Sequence, residues 1–255
     1  MSAPKTYLIT GGNRGIGQGL VSRVLTRPGV TVIATVRDPA KASPALQALP
    51  KGEGSKVIVL KLDSQSDSDA ATVVAQLQKE HGITSIDVVI ANAGVSHSGT
   101  TVSKTTPESL RDHFNTNTIG PVTLFQAVQP LLQASKTGNP IFVPISTVVG
   151  SIGSQESLSA FPQIFSPYGP SKSALNWLIH RLHHEETWLT TFVVHPGLVL
   201  TDMGATAIPP GSDPAAVGAI DVETSVTGLL KIFDSATRAD IGGKFRSYDG
   251  SPMPW

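Results

Sequence analysis

The sequence predicts an α/β protein built on one parallel sheet of about seven strands, with helices on both faces. Two observations predict it. Short runs of β-branched and aliphatic residues are apolar on both sides, as strands buried inside a parallel sheet are. Longer segments with apolar residues three and four positions apart alternate with these runs, as helices that cover a sheet do. The alternation implies right-handed strand–helix–strand units and therefore a doubly wound sheet.

Each element can be placed in chain order. The strands are expected at TYLIT, VTVIATV, KVIVLKL, IDVVIAN, NPIFVPIS and LTTFVVH, with KFRSYDG as the seventh. The helices between them are expected at GLVSRVLTR, SDAATVVAQLQKEHG, PVTLFQAVQPLLQAS and KSALNWLIHRLHHEE. We find no linker and no internal repeat, so residues 1–255 are interpreted as a single domain. Two stretches near 151–167 and 203–221 are rich in Gly, Pro and Ser and are expected to be long functional loops.

Composition excludes several functional classes. Nineteen basic residues offset nineteen acidic ones, so no excess charge favours nucleic acid or an anionic membrane as a partner. The absence of cysteine excludes disulfides, thiolate catalysis and cysteine-based metal sites. The N-terminus lacks the pattern of a signal peptide, and no apolar run is long enough to span a bilayer. We therefore expect a cytoplasmic protein.

The segment TGGNRGIG joins the first strand to the first helix. Its glycines Gly11, Gly15 and Gly17 follow a G-x-x-x-G-x-G spacing, which differs from the G-x-G-x-x-G of many dinucleotide folds. The physical purpose is the same: a tight turn, close approach of the backbone to a pyrophosphate, and an anion held at a helix N-terminus. The segment indicates a Rossmann-type fold. A plain glycine-rich turn is the alternative.

Three more motifs follow in order along the chain. NAG at 92–94 follows the fourth strand, YGPSK at 168–172 opens the long helix, and PG at 196–197 ends the sixth strand. With T-G-x-x-x-G-I-G, this series resembles the short-chain dehydrogenase/reductases over nearly the whole chain. The resemblance implies a dinucleotide-binding and catalytic domain. It also implies an oxidoreductase that moves hydride between a nicotinamide cofactor and a carbonyl or alcohol group.

The resemblance assigns cofactor contacts to residues at the strand ends. These are Gly11, Asn13, Arg14, Gly15, Ile16, Gly17, Arg37, Asp63, Asn92, Ala93, Gly94, Tyr168, Lys172, Pro196, Gly197, Val199 and Thr201. In the family, the segment at Val199 and Thr201 binds the nicotinamide carboxamide. Asp63 resembles the acid that contacts adenine; capping a helix N-terminus is the alternative for this side chain.

Two arginines indicate which nicotinamide cofactor is used. An acid about twenty residues past the glycine turn binds the ribose 2′-OH of NAD in dinucleotide folds, but Val36 stands at that position and Arg37 follows it. Arg14 and Arg37 are expected to clamp a 2′-phosphate, for which planar guanidinium groups suit. NADP(H) is therefore expected over NAD(H). Two solvated arginines are the alternative.

The catalytic groups are expected on the long helix. Tyr168 and Lys172 lie four residues apart, so they share a face. The ammonium group and the oxidised nicotinamide are expected to lower the phenol pKa from near 10. Tyr168 would then protonate the carbonyl oxygen. The resemblance adds Asn117, which in the family holds a water behind the lysine; a local helix bend beside Gly120 is the alternative.

The third catalytic group is a hydroxyl at the end of the fifth strand. The family has one three residues before a glycine, and counting back from Gly150 reaches Thr147, where serine is usual. Ser146 is adjacent and points to the other side of a regular strand. Thr147 fits the register, and Ser146 is kept as the alternative. Before Tyr168, the loop through Phe161, Ile164 and Phe165 is interpreted as an insertion.

A closer resemblance concerns the substrate. YGPSKSALN, HHEETWLTTFVVHPGLVLTDMG and YDGSPMPW resemble the fungal ketoreductases of the norsolorinic acid ketoreductase type, which act on aromatic polyketide ketones with NADPH. The expected substrate is therefore a small hydrophobic or aromatic ketone, or its alcohol. Phe161, Ile164, Phe165, Met203 and Ile208 would wall an apolar pocket, or else pack on the body of the protein.

Two other functions fit the same sequence. An NAD-linked alcohol dehydrogenase of the same fold is one, and Val36 and Arg37 disfavour it. A dinucleotide-sensing regulator without turnover is the other, favoured only by threonine in place of serine. The histidines of HRLHHEE lack the HExxH order, so no metal is expected. Assembly as a homodimer or homotetramer through the long helices is expected, unless their apolar residues all face the sheet.

Overall fold

A computed structural model of the chain describes residues 5–97, 99–159, 161 and 164–255. The strands are β1 Thr6–Thr10, β2 Thr31–Val36, β3 Lys56–Lys61, β4 Val88–Ala91, β5 Ile141–Pro144, β6 Thr190–Thr191, β7 Val193–His195, β8 Leu198–Val199, β9 Ala219–Ile220 and β10 Phe245–Ser247. The helices are α1 Gly15–Leu25, α2 Pro39–Gln47, α3 Asp69–His81, α4 Pro107–Phe114, α5 Gly120–Gln133, α6 Tyr168–Glu185, α7 Asp202–Ala205, α8 Val222–Ser235 and α9 Arg238–Ile241.

The main sheet confirms the predicted doubly wound arrangement. Its six strands run parallel in the order β3-β2-β1-β4-β5-β6. The expected sixth strand is divided at Phe192 into β6 and β7, and β7 continues beside β5 through a parallel bridge between Ile145 and Val194. The expected seventh strand is β10, which pairs in parallel with β7.

Alternation along the strands divides the core between the two faces of the sheet. In β1, Tyr7 and Ile9 pack with the cluster under α1, α2 and α8, whereas Leu8 packs with the cluster under α3, α5 and α6. All three residues are buried, as the apolar character of both strand faces predicts. The long helix α6 buries Leu175 and Ile179 but leaves Trp177 66% exposed, so not all of its apolar residues face the sheet.

Two of the helices, α2 and α8, begin after an aspartate that caps them. Asp38 precedes α2 and accepts a hydrogen bond from Lys41 N at 3.2 Å, so it caps that helix as its place before a proline suggests. Asp221 caps α8 in the same way, accepting from Thr224 N at 2.7 Å.

The 203–221 stretch, expected to be a long loop, is not a loop throughout. It holds most of α7, and β9, which pairs with β8.

The 151–167 stretch is tied to the body at both ends. Ser151 Oγ donates to Pro254 O at 2.8 Å, and Gly153 N donates to Trp255 O at 2.7 Å. At the other end, Ser166 forms an antiparallel bridge with Thr100, in the segment that follows β4. Among the helices of the described residues, none has both the length and the apolar character needed to span a membrane.

Candidate active site

The glycine turn is as tight as its spacing predicts. Gly11 and Gly15 adopt φ angles of +66° and +52°, a region that favours glycine. A Cβ on Gly17 would lie 2.2 Å from the Gly11 carbonyl oxygen and 2.5 Å from Asn92 Nδ2. No side chain larger than a hydrogen fits there, because the first turn of α1 crosses directly over the end of β1.

The turn lies where the strand order reverses. β1 is flanked by β2 and β4, so the helices that follow β1 and β4 lie on opposite faces, and a crevice opens at the carboxyl ends of the strands. Asn92 Nδ2 donates to Thr10 O at 2.9 Å, and Thr10 Oγ1 accepts from Ala93 N at 2.9 Å. These bonds join the NAG segment to the glycine turn.

The crevice fits a dinucleotide. Arg14 stands at the N-cap of α1 and makes no side-chain cap hydrogen bond, so the first amides of this helix lack a side-chain partner. Such amides and the helix dipole suit a pyrophosphate. Arg14 and Arg37 are both exposed at this edge, and Arg14 lies 4.0 Å from the exposed carboxylate of Asp202.

Asp63 is half-buried at the end of β3. Its Oδ1 accepts from Gln65 N at 3.0 Å, and its own amide donates to Asp69 Oδ2 at 3.0 Å. The next helix, α3, has Ser68 at its N-cap. Asp63 therefore caps no helix, and the alternative raised from the sequence is wrong.

Tyr168 and Lys172 open α6 beside the end of β5. Lys172 is 4% exposed, its Nζ donates to Ile145 O at 2.8 Å, and it lies 5.9 Å from the centre of the Tyr168 ring. Burial lowers the pKa of Lys172 to about 8. Burial also raises the pKa of Tyr168 to about 12, and a hydrogen bond with Thr147 opposes that rise.

In the protein without a cofactor, Lys172 does not lower the pKa of the phenol, and the expected joint effect of Lys172 and the nicotinamide charge stays a prediction. Desolvation of the hydroxyl outweighs every other influence on Tyr168, and the buried ammonium group is directed at a backbone carbonyl. In the protein as described, Tyr168 is a protonated phenol at neutral pH. A protonated phenol can donate a proton but cannot accept one as a base.

The structure separates Thr147 from Ser146. Thr147 lies on the Tyr168 side and opposes the rise in the phenol pKa, and its Oγ1 accepts from Val149 N at 3.3 Å. Ser146 Oγ points the other way and donates to Asn176 Oδ1 at 2.5 Å. Both residues are buried. The opposite directions follow from the extended backbone, in which successive side chains alternate.

Asn117 lies in a π-helical turn, Asn115–Ile119, between α4 and α5. Its Oδ1 accepts from Val95 N at 2.9 Å, and its Nδ2 donates to Val95 O at 2.9 Å and to Ser171 Oγ at 3.0 Å. The helix is therefore locally distorted, as the bend alternative predicts, and Asn117 joins the segment after β4 to α6. Its expected role in holding a water stays a prediction.

The segment after β7 closes the site. Gly197 has a φ of +88°, and Thr201 accepts from Gly204 N at 3.1 Å to cap α7. A Cβ placed on Gly15 would lie 3.2 Å from Thr201 Cγ2. Val199 is buried in β8, two residues before that threonine. This expected carboxamide-binding segment therefore faces the glycine turn.

The structure describes all five residues that were expected to wall a substrate pocket. Phe161, Ile164, Phe165 and Ile208 are half-buried, and Met203 is exposed. A Cβ on Gly99 would lie 2.5 Å from Ile164 O, so the segments after β4 and before α6 touch. Residues 160, 162 and 163 of the insertion lie outside the described residues.

Among the described residues, the histidines at the end of α6 do not form a group that could hold a metal ion. His180 Nδ1 lies 3.0 Å from Gly243 O, and His183 Nδ1 lies 3.0 Å from Arg238 Nη1. One other cluster with metal-ligand chemistry occurs in those residues, made of His97, Asp112 and His113. No sequence motif predicts this cluster, because its members come from two segments that only the fold brings together.

A second group that no sequence motif predicts is His195, at the end of β7. Its Nδ1 accepts from Val148 N at 3.3 Å, next to Thr147. Burial lowers the pKa of His195 to about 4, although the charge of Asp249 opposes the change. The imidazole is thus neutral at physiological pH, which an acceptor for an amide must be.

The acid stability of the protein should depend on His195. Because its pKa is lower in the folded chain than the 6.5 of an unfolded one, its contribution is complete above pH 6.5 and is lost as pH falls toward 4. In His195→Asn the free energy of unfolding should fall less between pH 7 and pH 4, by up to about 3 kcal/mol. Urea unfolding at both values measures it. His81→Asn, an exposed site, is the control; equal acid losses in both variants would contradict the assignment.

Comparison with known proteins agrees with this geometry. The family model described as short chain dehydrogenase matches residues 5–210. A norsolorinic acid ketoreductase of Dothistroma septosporum is 40% identical over 255 residues, covering 98% of this chain and 92% of the relative. One of Aspergillus parasiticus is 40% identical over 250 residues, covering 98% and 90%.

A solved structure extends the agreement to the fold. An NADPH-bound carbonyl reductase from chicken fatty liver superposes with a TM-score of 0.84 at 28% identity, covering 100% of both chains. The family resemblance found in the four motifs is thereby confirmed. From the glycine turn to the segment after β7, this chain belongs to the short-chain dehydrogenase family of oxidoreductases.

Proposed function

We propose that this chain is an NADPH-dependent carbonyl reductase that transfers hydride to a hydrophobic or aromatic ketone, with Tyr168 as the proton donor. One observation carries the proposal: Thr147, Tyr168 and Lys172 meet at the crevice that the glycine turn opens. A hydroxyl, a protonated phenol and a buried cation at a dinucleotide site match the needs of carbonyl reduction.

The reaction needs a proton at the oxygen that becomes the alcohol. When bound, NADPH supplies the hydride. Tyr168 donates its proton to the carbonyl oxygen, and its high pKa keeps that proton in place until negative charge develops. Thr147 donates a hydrogen bond to the same oxygen and so polarises the carbonyl group. Lys172, when charged, stabilises the phenolate that proton transfer leaves behind.

The preference for NADPH rests on charge at the adenosine end. Arg14 and Arg37 are exposed at the carboxyl ends of β1 and β2, and Val36 leaves no acid to bind a ribose 2′-hydroxyl. Two guanidinium groups bind a 2′-phosphate through paired charged hydrogen bonds. The solved relative from chicken fatty liver holds NADPH, which supports the same choice.

The substrate class rests on the pocket side of the site. The described wall residues Phe161, Ile164, Phe165, Met203 and Ile208 are apolar, as small-molecule pockets usually are. Curated relatives 40% identical to this chain are named norsolorinic acid ketoreductases. Both observations favour a hydrophobic or aromatic ketone as substrate.

Removing the phenol hydroxyl tests the proton donor. Tyr168→Phe should lower kcat for ketone reduction about 100- to 10,000-fold, because general acid catalysis contributes that much, while the Kd for NADPH changes little. Stopped-flow turnover and fluorescence titration measure the two constants. Tyr7→Phe, at the other end of β1, is the control and should keep wild-type kcat. A Tyr168→Phe enzyme of normal activity would rule out the mechanism.

Reversing one charge tests the cofactor preference. Arg37→Asp should reduce the ratio of kcat/KM for NADPH over NADH roughly 10- to 100-fold, the value of a lost charged hydrogen bond. Steady-state kinetics with both cofactors measures the ratio. Arg181→Asp makes the same charge change far along α6 and should leave the ratio unaltered. An unchanged ratio in Arg37→Asp would refute the role of Arg37 in clamping a 2′-phosphate.

A ketone panel tests the substrate class. NADPH oxidation should be faster with bulky aryl ketones than with short aliphatic ones, at least about tenfold in kcat/KM, because more apolar surface is buried. Absorbance at 340 nm follows the reaction. Faster reduction of aliphatic ketones would contradict the aromatic assignment. Tight NADPH binding without turnover on any ketone would favour the alternative function, a dinucleotide-sensing regulator.

A further inference from the structure

Asn176 lies one helical turn beyond Lys172 and two beyond Tyr168, on the same face of α6. It is 4% exposed, and its amide reaches two partners at the end of β5. Ser146 Oγ donates to Asn176 Oδ1 at 2.5 Å, and Asn176 Nδ2 donates to Gly150 O at 3.1 Å. The amide orientation is fixed, because a carbonyl oxygen only accepts.

Resting on the proposed function, we propose that Asn176 is a positioning residue that holds Thr147 against Tyr168. Its two partners, Ser146 and Gly150, flank Thr147 on either side. Ser146 faces away from the phenol while Thr147 faces toward it. Asn176 therefore binds the turn on the side opposite the phenol. The helix that supplies the proton donor therefore also sets the direction of the hydroxyl.

Other contacts limit how the turn can move. Lys172 Nζ holds Ile145 O at 2.8 Å, and His195 Nδ1 accepts from Val148 N at 3.3 Å. A Cβ on Gly150 would lie 2.7 Å from Lys172 Cβ, so the turn is seated directly on α6. Ile145 and Val148 are held through their backbone. The backbone of Ser146, the immediate neighbour of Thr147, donates to Val194 O at 2.8 Å, and its side chain is held by Asn176.

Loss of the amide should displace the hydroxyl rather than the helix. Without Asn176, the Ser146 hydroxyl loses its partner in a buried site, and unsatisfied buried groups drive local rearrangement. Gly150 O keeps a second donor, Ser173 Oγ at 2.8 Å. Ser146 then keeps only its backbone bond to Val194 O, at 2.8 Å, so the shift is expected at the Ser146 end of the turn. Displacements near 1 Å at a reacting group lower rates about 100-fold.

A double-mutant cycle tests the inference. Asn176→Ala should lower kcat for ketone reduction about 10- to 100-fold with little change in the Kd for NADPH. In a Thr147→Ala background the same substitution should change kcat less than about twofold, because the residue acts through Thr147. Thr191→Val, which removes a buried hydroxyl bonded to Phe142 O, is the control and should keep wild-type kcat.

A spectroscopic measurement is independent of turnover. The chain has three tyrosines, so ¹³Cζ labelling with Tyr168→Phe as reference assigns the Tyr168 signal. Its chemical shift at pH 7 reports the hydrogen bond with Thr147. Asn176→Ala should move the signal in the same direction as Thr147→Ala. Should Asn176→Ala fail to fold, Ser146→Ala should produce a smaller change of the same sign.

The outcomes separate this inference from the proposed function. Independent, multiplicative losses of kcat, or an unmoved Tyr168 signal in Asn176→Ala, would overturn the positioning role. Normal kcat in Thr147→Ala, or no turnover by the wild-type enzyme on any ketone, would count against the proposed function. The Tyr168 signal would still decide whether Asn176 directs Thr147.

Discussion

The close approach of α1 to the end of β1 is the constraint on which the site depends. Gly17 and the Gly11 carbonyl oxygen are so near that any side chain would separate helix from sheet. Because the helix starts there, its first amides face the crevice between β1 and β4. Asn92 then fastens the next strand end to the same turn. The close packing of α1 on β1 thus also forms the surface that suits a dinucleotide.

Burial without full charge compensation governs the chemistry at the other side of the crevice. Lys172 and Tyr168 both lose water, and each shifts toward its neutral form, with pKa values of about 8 and 12. Neutral forms are the less costly ones inside a protein. A bound cofactor and a developing negative charge on substrate oxygen would supply the missing charges. In the protein alone, the Tyr168 phenol therefore keeps its proton at neutral pH.

The sequence predicted those features that depend on local spacing. Glycine spacing predicted the turn, and the four-residue step from Tyr168 to Lys172 placed both on one helix face. Alternation distinguished Thr147 from Ser146, and the structure directs the two hydroxyls as expected. What remained hidden depends on partners distant along the chain. His195 and Asn176 bind groups near Thr147 that only the packed fold brings to them. The rise of the phenol pKa in the protein alone was not predicted, because desolvation has no signature in residue order.

The described residues 152–159 lie outside the contacts that bring Thr147 and Tyr168 together. Contacts across space from α6 and β7 hold the two reactive hydroxyls together, so their geometry does not depend on how long the chain between them is. That intervening segment is anchored where it leaves the turn and where it meets the segment after β4. The contacts around Thr147 and Tyr168 therefore do not fix the length or the sequence of this segment. Under the proposed function, substrate choice would depend on this segment, whereas the proton-transfer geometry would depend on the contacts from α6 and β7.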